Sequence, residues 1–332
     1  MCEGWVVDAP GPITTLRQED KWMVPPPAPG EVRVRVNAVG LNPVDYIVAE
    51  RKRPVYPYAP GLDVAGVIDV IGPEVEGFSA GDRVYYHGSM RSPYGGFGQY
   101  AITTTACLRH IPPDMDFETA AAIPCSAWTA HAMLQRTLTP FSDPSTRTVF
   151  ITGGGGGVGS FAVQLASQTG AKVITSCGAL NAQWVTRLGA SENFNYRGDG
   201  VLARVMHLTS GEGVDVWMDT AGPDSAKHGL RALRYNGVLV YNNEDLVLDA
   251  EDMDFIRKRS ITVSQFHLNG VYGARKEAQQ ELRRHADAVE ALVVGGELEV
   301  PITEFIDLKK LMTTMVRMKT RHLRGKTVLK RD

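Results

Sequence analysis

Five consecutive glycines, Gly153 to Gly157, separate an apolar run from a long helical pattern in "RTVFITGGGGGVGSFAVQLASQTGAKVITSC", residues 147 to 177. No other stretch limits the fold so strongly. Glycine lacks a Cβ atom, so a run of this kind permits a tight turn and lets another group come against bare main chain. Behind it, Val158, Phe161, Ala162, Leu165 and Ala166 recur at helical spacing, which predicts one apolar face packed on a sheet. Gly154, Gly156 and Gly159 satisfy G-x-G-x-x-G between a strand and that helix, the context in which the pattern carries meaning. A pyrophosphate suits such a loop, because backbone N–H groups and the positive end of the helix dipole both favour it. The expected visitor is a dinucleotide, cradled by Gly153, Gly154, Gly155, Gly156, Gly157, Val158 and Gly159.

From residue 148, short apolar segments alternate with helical patterns: "TVFIT", "KVITS", "NFNY", "VDVWMDT", "VLVYN" and "ITVSQF". Six strands with helical crossovers predict an α/β domain with a Rossmann doubly wound parallel sheet, spanning residues 123–266. The sixth strand is expected at the sheet edge, where pairing about a twofold axis would make a homodimer. The first 122 residues read differently. "EVRVRVNAVGL", "AGVIDVIG" and "DRVYYHG" alternate and are separated by Gly and Pro, which predicts a β-rich antiparallel unit. After Phe266 come a polar helix around 274–294, a turn at "GGELEVPI", a helix at 307–318 and a strand "GKTVL". This tail is too thin to own a core. A third small domain is one reading; a return over 267–332 to complete the first domain is the expected one. Two domains also suit 332 residues, since single cores stop growing near about 250 to 300.

A net charge of -2 gives no whole-molecule field for nucleic acid or an anionic membrane, so the partner is expected to be small. The basic run "KTRHLRGKTVLKR" reads as a solvated tail, with RNA contact through phosphates the weaker alternative. Cys2, Cys107, Cys125 and Cys177 are scattered without a CxxC pair, which argues against a disulfide framework or a structural zinc. The start "MCEGWVVDAP" has no signal-peptide pattern, and no apolar run reaches about 18 residues. A cytoplasmic protein is expected.

An NAD site usually places Asp or Glu after the second strand to hold the ribose hydroxyls. Here no acidic residue occurs between Asp143 and Glu192. NADPH is therefore favoured over NADH, with Ser176 and Asn181 as hydrogen-bonding candidates for its 2′-phosphate or as plain cap residues.

The segments "GLNPVD" (40–45), "GLDVAGVIDVIG" (61–72), "GDRV" (81–84), "GGFGQYA" (95–101), "ITGGGGGVG" (151–159) and "GVDVWMDTAG" (213–222) together resemble the quinone oxidoreductase branch of the medium-chain dehydrogenase/reductase superfamily. The resemblance runs over nearly the whole chain. It implies a β-rich GroES-like catalytic domain beside the Rossmann domain, with the reaction between the two. Zinc-dependent members carry Cys where this chain has Asn42, and Gly-His-Glu where it has Gly61-Leu62-Asp63, so no metal is expected. His87, His110 and His131 are expected to be packed or surface histidines. The resemblance also implies that Tyr196 and Arg321 hold the 2′-phosphate, whereas the usual lysine is replaced by Asn181. Thr129 matches a threonine beside the nicotinamide. Asp219 and Asn242 end the fourth and fifth strands, at the carboxyl edge where ligands bind.

A nicotinamide without a metal donates hydride, and the acceptor must tolerate the charge that develops. Quinones and α,β-unsaturated carbonyls do so by delocalisation. Hydrogen-bond donors aimed at the forming oxyanion would lower the barrier. The resemblance places Asn42, Asp45 and Tyr56 there, with Tyr56 the first choice because a phenol stays protonated at neutral pH. For Asn42 and Asp45 a turn cap is the equal alternative. An enoyl-thioester reductase and a nucleotide-binding protein without turnover are the competing functions.

Overall fold

The computed structural model describes residues 2–53, 55–138, 143–198, 200–242, 246–273, 276–320 and 323–331. The chain divides into two compact units, Met1–Cys125 with Asn269–Asp332, and Ser126–Leu268. In chain order the first unit contributes strands β1 (Cys2–Val6), β2 (Arg17–Trp22) and β3 (Glu31–Gly40), helix α1 (Pro43–Glu50), strands β4 (Asp63–Ile71), β5 (Arg83–His87), β6 (Tyr100–Thr104) and β7 (Arg109–His110), and helix α2 (Phe117–Ala122). The second holds α3 (Thr129–Leu138), β8 (Thr148–Ile151), α4 (Gly157–Gln168), β9 (Lys172–Cys177), β10 (Glu192–Asn195), β11 (Val214–Asp219), β12 (Leu233–Tyr241) and β13 (Thr262–Gln265). The first unit then regains β14 (Ile302–Ile306) and β15 (Lys326–Lys330).

In the first unit the central strand is β3. Val32, Val34 and Val36 point into the core while Arg33 and Arg35 lie on the other face, the two-residue period of a half-buried strand. β3 pairs antiparallel with β4, β6 and β15, so the last strand of the chain lies against one of the first. The basic run expected as a solvated tail is thereby corrected: Lys326, Thr327, Val328 and Leu329 are all buried, because β15 sits inside the sheet order between β14 and β3.

The second unit is a six-stranded sheet in the order β10-β9-β8-β11-β12-β13, every pairing parallel. This is the doubly wound order whose direction reverses between β8 and β11, where ligands of such sheets bind. Helix α4 is buried more completely than an amphipathic stripe implies. Phe161, Ala162, Leu165 and Ala166 are buried as expected, but so are Ser160, Val163 and Gln164, and Val158 is only half-buried. The reason is a second neighbour, since α4 packs against α3 as well as on β8 and β9. Strand β12 begins earlier than its apolar stretch: Leu233 already pairs with Val214, and the register then jumps to Val238 opposite Val216. Asn236, at φ 60°, sits in the left-handed region inside that jump. Among the described residues, no helix is long and apolar enough to cross a membrane.

Helix α1 starts with Pro43, and the carboxylate of Asp45 reaches back to accept from the N–H of Asn42 at 2.8 Å. Its other oxygen accepts from the N–H of Leu62 at 3.1 Å. Asp45 is fully buried, and desolvation pushes its carboxyl up to about 7, against the pull of the two backbone donors.

Two outcomes follow from these placements. A Cβ on Gly159 would stand 2.2 Å from the carbonyl oxygen of Gly153, so Gly159→Ala should lower unfolding stability by about 1 to 3 kcal/mol in urea titrations. A carboxyl whose folded-state pKa is raised keeps its proton while the unfolded chain ionises, so its effect on stability is lost as pH rises towards 7 and is level above that. Wild-type stability relative to Asp45→Asn should therefore fall by up to about 1.4 kcal/mol per pH unit between pH 5 and 7. A constant difference across that window would rule out the shift.

Candidate functional site

The loop after β8 carries the glycines. Gly153 has φ +65°, which a side chain resists, and it makes the turn. The N–H of Gly154 donates to Ser176 O at 3.0 Å, and that of Gly156 donates to Gly153 O at 2.8 Å. The glycines then serve distinct ends. A Cβ on Gly154 would meet Thr175 Oγ1 at 2.2 Å, and one on Gly155 would meet the Asn181 amide at 2.5 Å. Gly159 lets the helix cross the turn. At Gly156 a Cβ would press on the Gly153 carbonyl oxygen alone, at 3.3 Å. Gly156 caps α4, and the N–H groups of Gly157, Val158 and Gly159 belong to its first turn, where no intrahelical acceptor exists.

The remaining nucleotide candidates fall into three kinds. Asn181 overlies Gly155, and Tyr196 follows β10 with its N–H on Cys177 O at 3.4 Å, so both border the end of β9. Arg197 joins them, its guanidinium over the Tyr196 ring at 5.5 Å. Asn242 ends β12 with a buried side-chain oxygen that accepts no hydrogen bond from any described residue. Ser176 and Thr129 are buried, at 3% and 4% exposure. Asp219 uses its carboxylate within the protein. Oδ1 accepts from Ala221 and Gly222 N–H at 3.0 and 2.9 Å, Oδ2 accepts from Trp217 Nε1 at 3.3 Å, and the residue is 0% exposed. Arg321 lies outside the described residues.

In the first unit, Asn42 belongs to a buried polar cluster. Its Nδ2 donates to Gly40 O at 2.9 Å and to Asp63 Oδ2 at 2.8 Å, and its Oδ1 accepts from Lys326 Nζ at 2.6 Å. Both amide hydrogens are thus engaged. Asn42 is the N-cap of α1 and Asp45 the third residue of the helix, and both bind the protein's own groups. Asp63 also accepts from the N–H of Cys125, 3.1 and 3.0 Å from its two oxygens, and contacts His87 Nδ1 at 2.7 Å. Lys326 Nζ is 3.6 Å from Asp63 Oδ2 and donates to Leu41 O at 3.2 Å. Burial pushes the Cys125 thiol well above its ordinary value. Sequence reasoning missed this cluster. Lys326 stands 263 positions from Asp63, and only the β15–β3–β4 order brings them together.

Tyr56 is half-buried. Its hydroxyl accepts from Arg53 N–H at 2.9 Å and donates to Arg51 O at 3.3 Å. With Trp22, Met23, Val55 and Tyr94 it lines an open depression of about 260 Å³. His110 is exposed and stacks on Phe78, and His131 is half-buried on α3. All four cysteines are free.

The arrangement matches known proteins throughout. Residues 157–288 fit the family of zinc-binding dehydrogenases and residues 28–113 the alcohol dehydrogenase GroES-like domain. A quinone oxidoreductase of Sus scrofa is 30% identical over 306 residues, covering 90% of this chain and 88% of the relative. The Pseudomonas syringae quinone oxidoreductase is 27% identical, with TM-score 0.88 over 100% of both chains. The Escherichia coli quinone oxidoreductase, solved in complex with NADPH, matches at TM-score 0.85 and 24% identity over 99% of this chain and 100% of that one. With a glycine-cradled switch point, a GroES-like unit and a relative of this identity along nearly its whole length, the chain belongs to the quinone oxidoreductase family of the medium-chain dehydrogenase/reductase superfamily, and it is an oxidoreductase.

Proposed function

We propose that this oxidoreductase uses NADPH to reduce a quinone or an α,β-unsaturated carbonyl, and that it does so without zinc. The observation that carries the reading is the glycine turn that starts α4 at Gly156, beside a second strand that no carboxylate follows. NADPH supplies the hydride. The first-turn N–H groups of Gly157, Val158 and Gly159 suit its diphosphate. Asn181, Tyr196, Arg321 and the added cation of Arg197 suit a 2′-phosphate, which a carboxylate at the same place would repel. The unpartnered oxygen of Asn242 suits an amide donor, and Thr129 retains its family assignment beside the nicotinamide. Tyr56 is the proposed donor of a proton or hydrogen bond to the reduced acceptor, through its phenolic O–H. The outer edge of β13 suits pairing with a second copy.

The zinc that one matching family's description suggests does not suit this chain. Asn42 stands where zinc-dependent relatives have a cysteine, and the nearest donor set, Asp63, His87 and Cys125, already has the ammonium of Lys326 beside it.

NADPH oxidation followed with a quinone, an enone and an enoyl thioester tests the reading: turnover with either of the first two supports it, turnover with the thioester alone moves the protein to the competing class, and NADPH binding without any turnover removes the enzymatic claim. Gly156→Leu should weaken NADPH binding at least about tenfold while lowering the unfolding midpoint only slightly, because its backbone is extended and its Cβ would press on a single atom, the Gly153 carbonyl oxygen at 3.3 Å. Tyr56→Phe should lower kcat with little change in NADPH affinity; unaltered kcat would remove Tyr56 from the chemistry.

A further inference from the structure

The cluster of Asp63, His87, Cys125 and Lys326 has the composition of a metal centre with one member exchanged. Asp63, His87 and Cys125 offer a carboxylate oxygen, an imidazole nitrogen and a thiol sulfur, all within 4.8 Å of one another. Three such ligands with one open position describe a zinc site. Lys326, however, is 1% exposed and brings a positive charge to the same carboxylate.

The contacts assign the carboxylate completely. A carboxylate has about four lone-pair sites, and those of Asp63 meet Asn42 Nδ2, Cys125 N–H, His87 Nδ1 and the ammonium of Lys326. His87 Nδ1 and Asp63 Oδ1 stand 2.7 Å apart, a hydrogen-bond distance. Two ligands on one tetrahedral ion with bonds of about 2.0 Å lie roughly 3.3 Å apart. The pair is therefore drawn together by a shared proton, and a divalent ion would have to break that bond and stand against Lys326 in a desolvated interior.

We propose that the ammonium of Lys326 is the built-in cation of this cluster, holding Asp63 and Asn42 in place of a metal ion, and that its removal turns Asp63, His87 and Cys125 into a site for a divalent transition metal. Lys326 is accordingly a positioning residue. It fixes the amide of Asn42, and through Asp63 it fixes His87 and the backbone at Cys125. The inference does not depend on which cofactor or substrate the enzyme takes, because its readout is metal uptake.

The test compares wild type, Lys326→Met and the double variant Lys326→Met/Cys125→Ser after incubation with Co²⁺ and gel filtration. Cobalt bound to a thiolate gives a charge-transfer absorption in the near ultraviolet, and elemental analysis gives the stoichiometry. Wild type should retain no cobalt and show no such band, Lys326→Met should retain about one ion per chain with the band, and the double variant should lose the band. Uptake by wild type with a thiolate band overturns the proposal, and so does a folded Lys326→Met that takes up none. Should Lys326→Met fail to fold in metal-free buffer, refolding in Co²⁺ or Zn²⁺ must restore it; a variant that metal neither enters nor restores also overturns the proposal.

Discussion

The crossing of Gly159 over the Gly153 carbonyl is the contact on which the nucleotide loop depends. A Cβ there would come within 2.2 Å of that oxygen, so α4 can begin directly above the turn only while residue 159 has no side chain. Because the helix begins there, its first N–H groups are gathered beside Gly156, at the point where the strand order reverses between β8 and β11. A helix started one turn later would leave those donors over solvent. The glycines are thus spent unequally: one makes the turn, three yield to the protein's own atoms, and Gly156, tight only against the Gly153 carbonyl oxygen, caps the helix.

The first unit depends on a different constraint, the return of the chain end. β15 lies between β14 and β3, and with it comes a lysine with almost no exposure. Taking an ammonium and a carboxylate out of water costs several kcal/mol for each ion, and the attraction between them offsets this only where further hydrogen bonds complete both. Lys326 has Leu41 O and Asn42 Oδ1, and Asp63 has Asn42, His87 and Cys125, so neither ion relies on the other alone. One consequence concerns Asp45. With Asp63 ionised nearby and no exposure of its own, its carboxyl rises even while it caps α1, so the same burial that fixes the loop makes it responsive to pH.

How much of this was legible in the residues depended on the range of the interactions. The Rossmann strands could be read because each is a short apolar run between glycines or polar turns, and the helix α4 because its spacing is local. The start of β12 could not, since Arg234, Tyr235, Asn236 and Gly237 look like a turn, and in fact they form the irregular stretch where its pairing with β11 changes register. Asp219 ends β11 as the strand pattern reads, but its hydrogen bonds from the local N–H groups of Ala221 and Gly222 have no signature in the spacing. Lys326 was hidden in a run of charge whose average meaning is a solvated tail. It opens β15 opposite Ile302 of β14 and is buried there, whereas Arg324 and Lys330, its neighbours, are exposed.

Asn42 brings the two halves of the reading together. Seen as a family position, it is a residue that replaced a cysteine and was free to become a donor to substrate. Seen in its contacts, it is a bridge: Nδ2 to Asp63, Oδ1 from Lys326. An amide can join a carboxylate to an ammonium because it has a donor at one end and an acceptor at the other, which neither a cysteine nor an aspartate provides. Asparagine at residue 42 therefore accommodates the carboxylate and the lysine together. The identity of residue 42 and the burial of residue 326 are one structural decision, made by two segments that the chain keeps 284 residues apart.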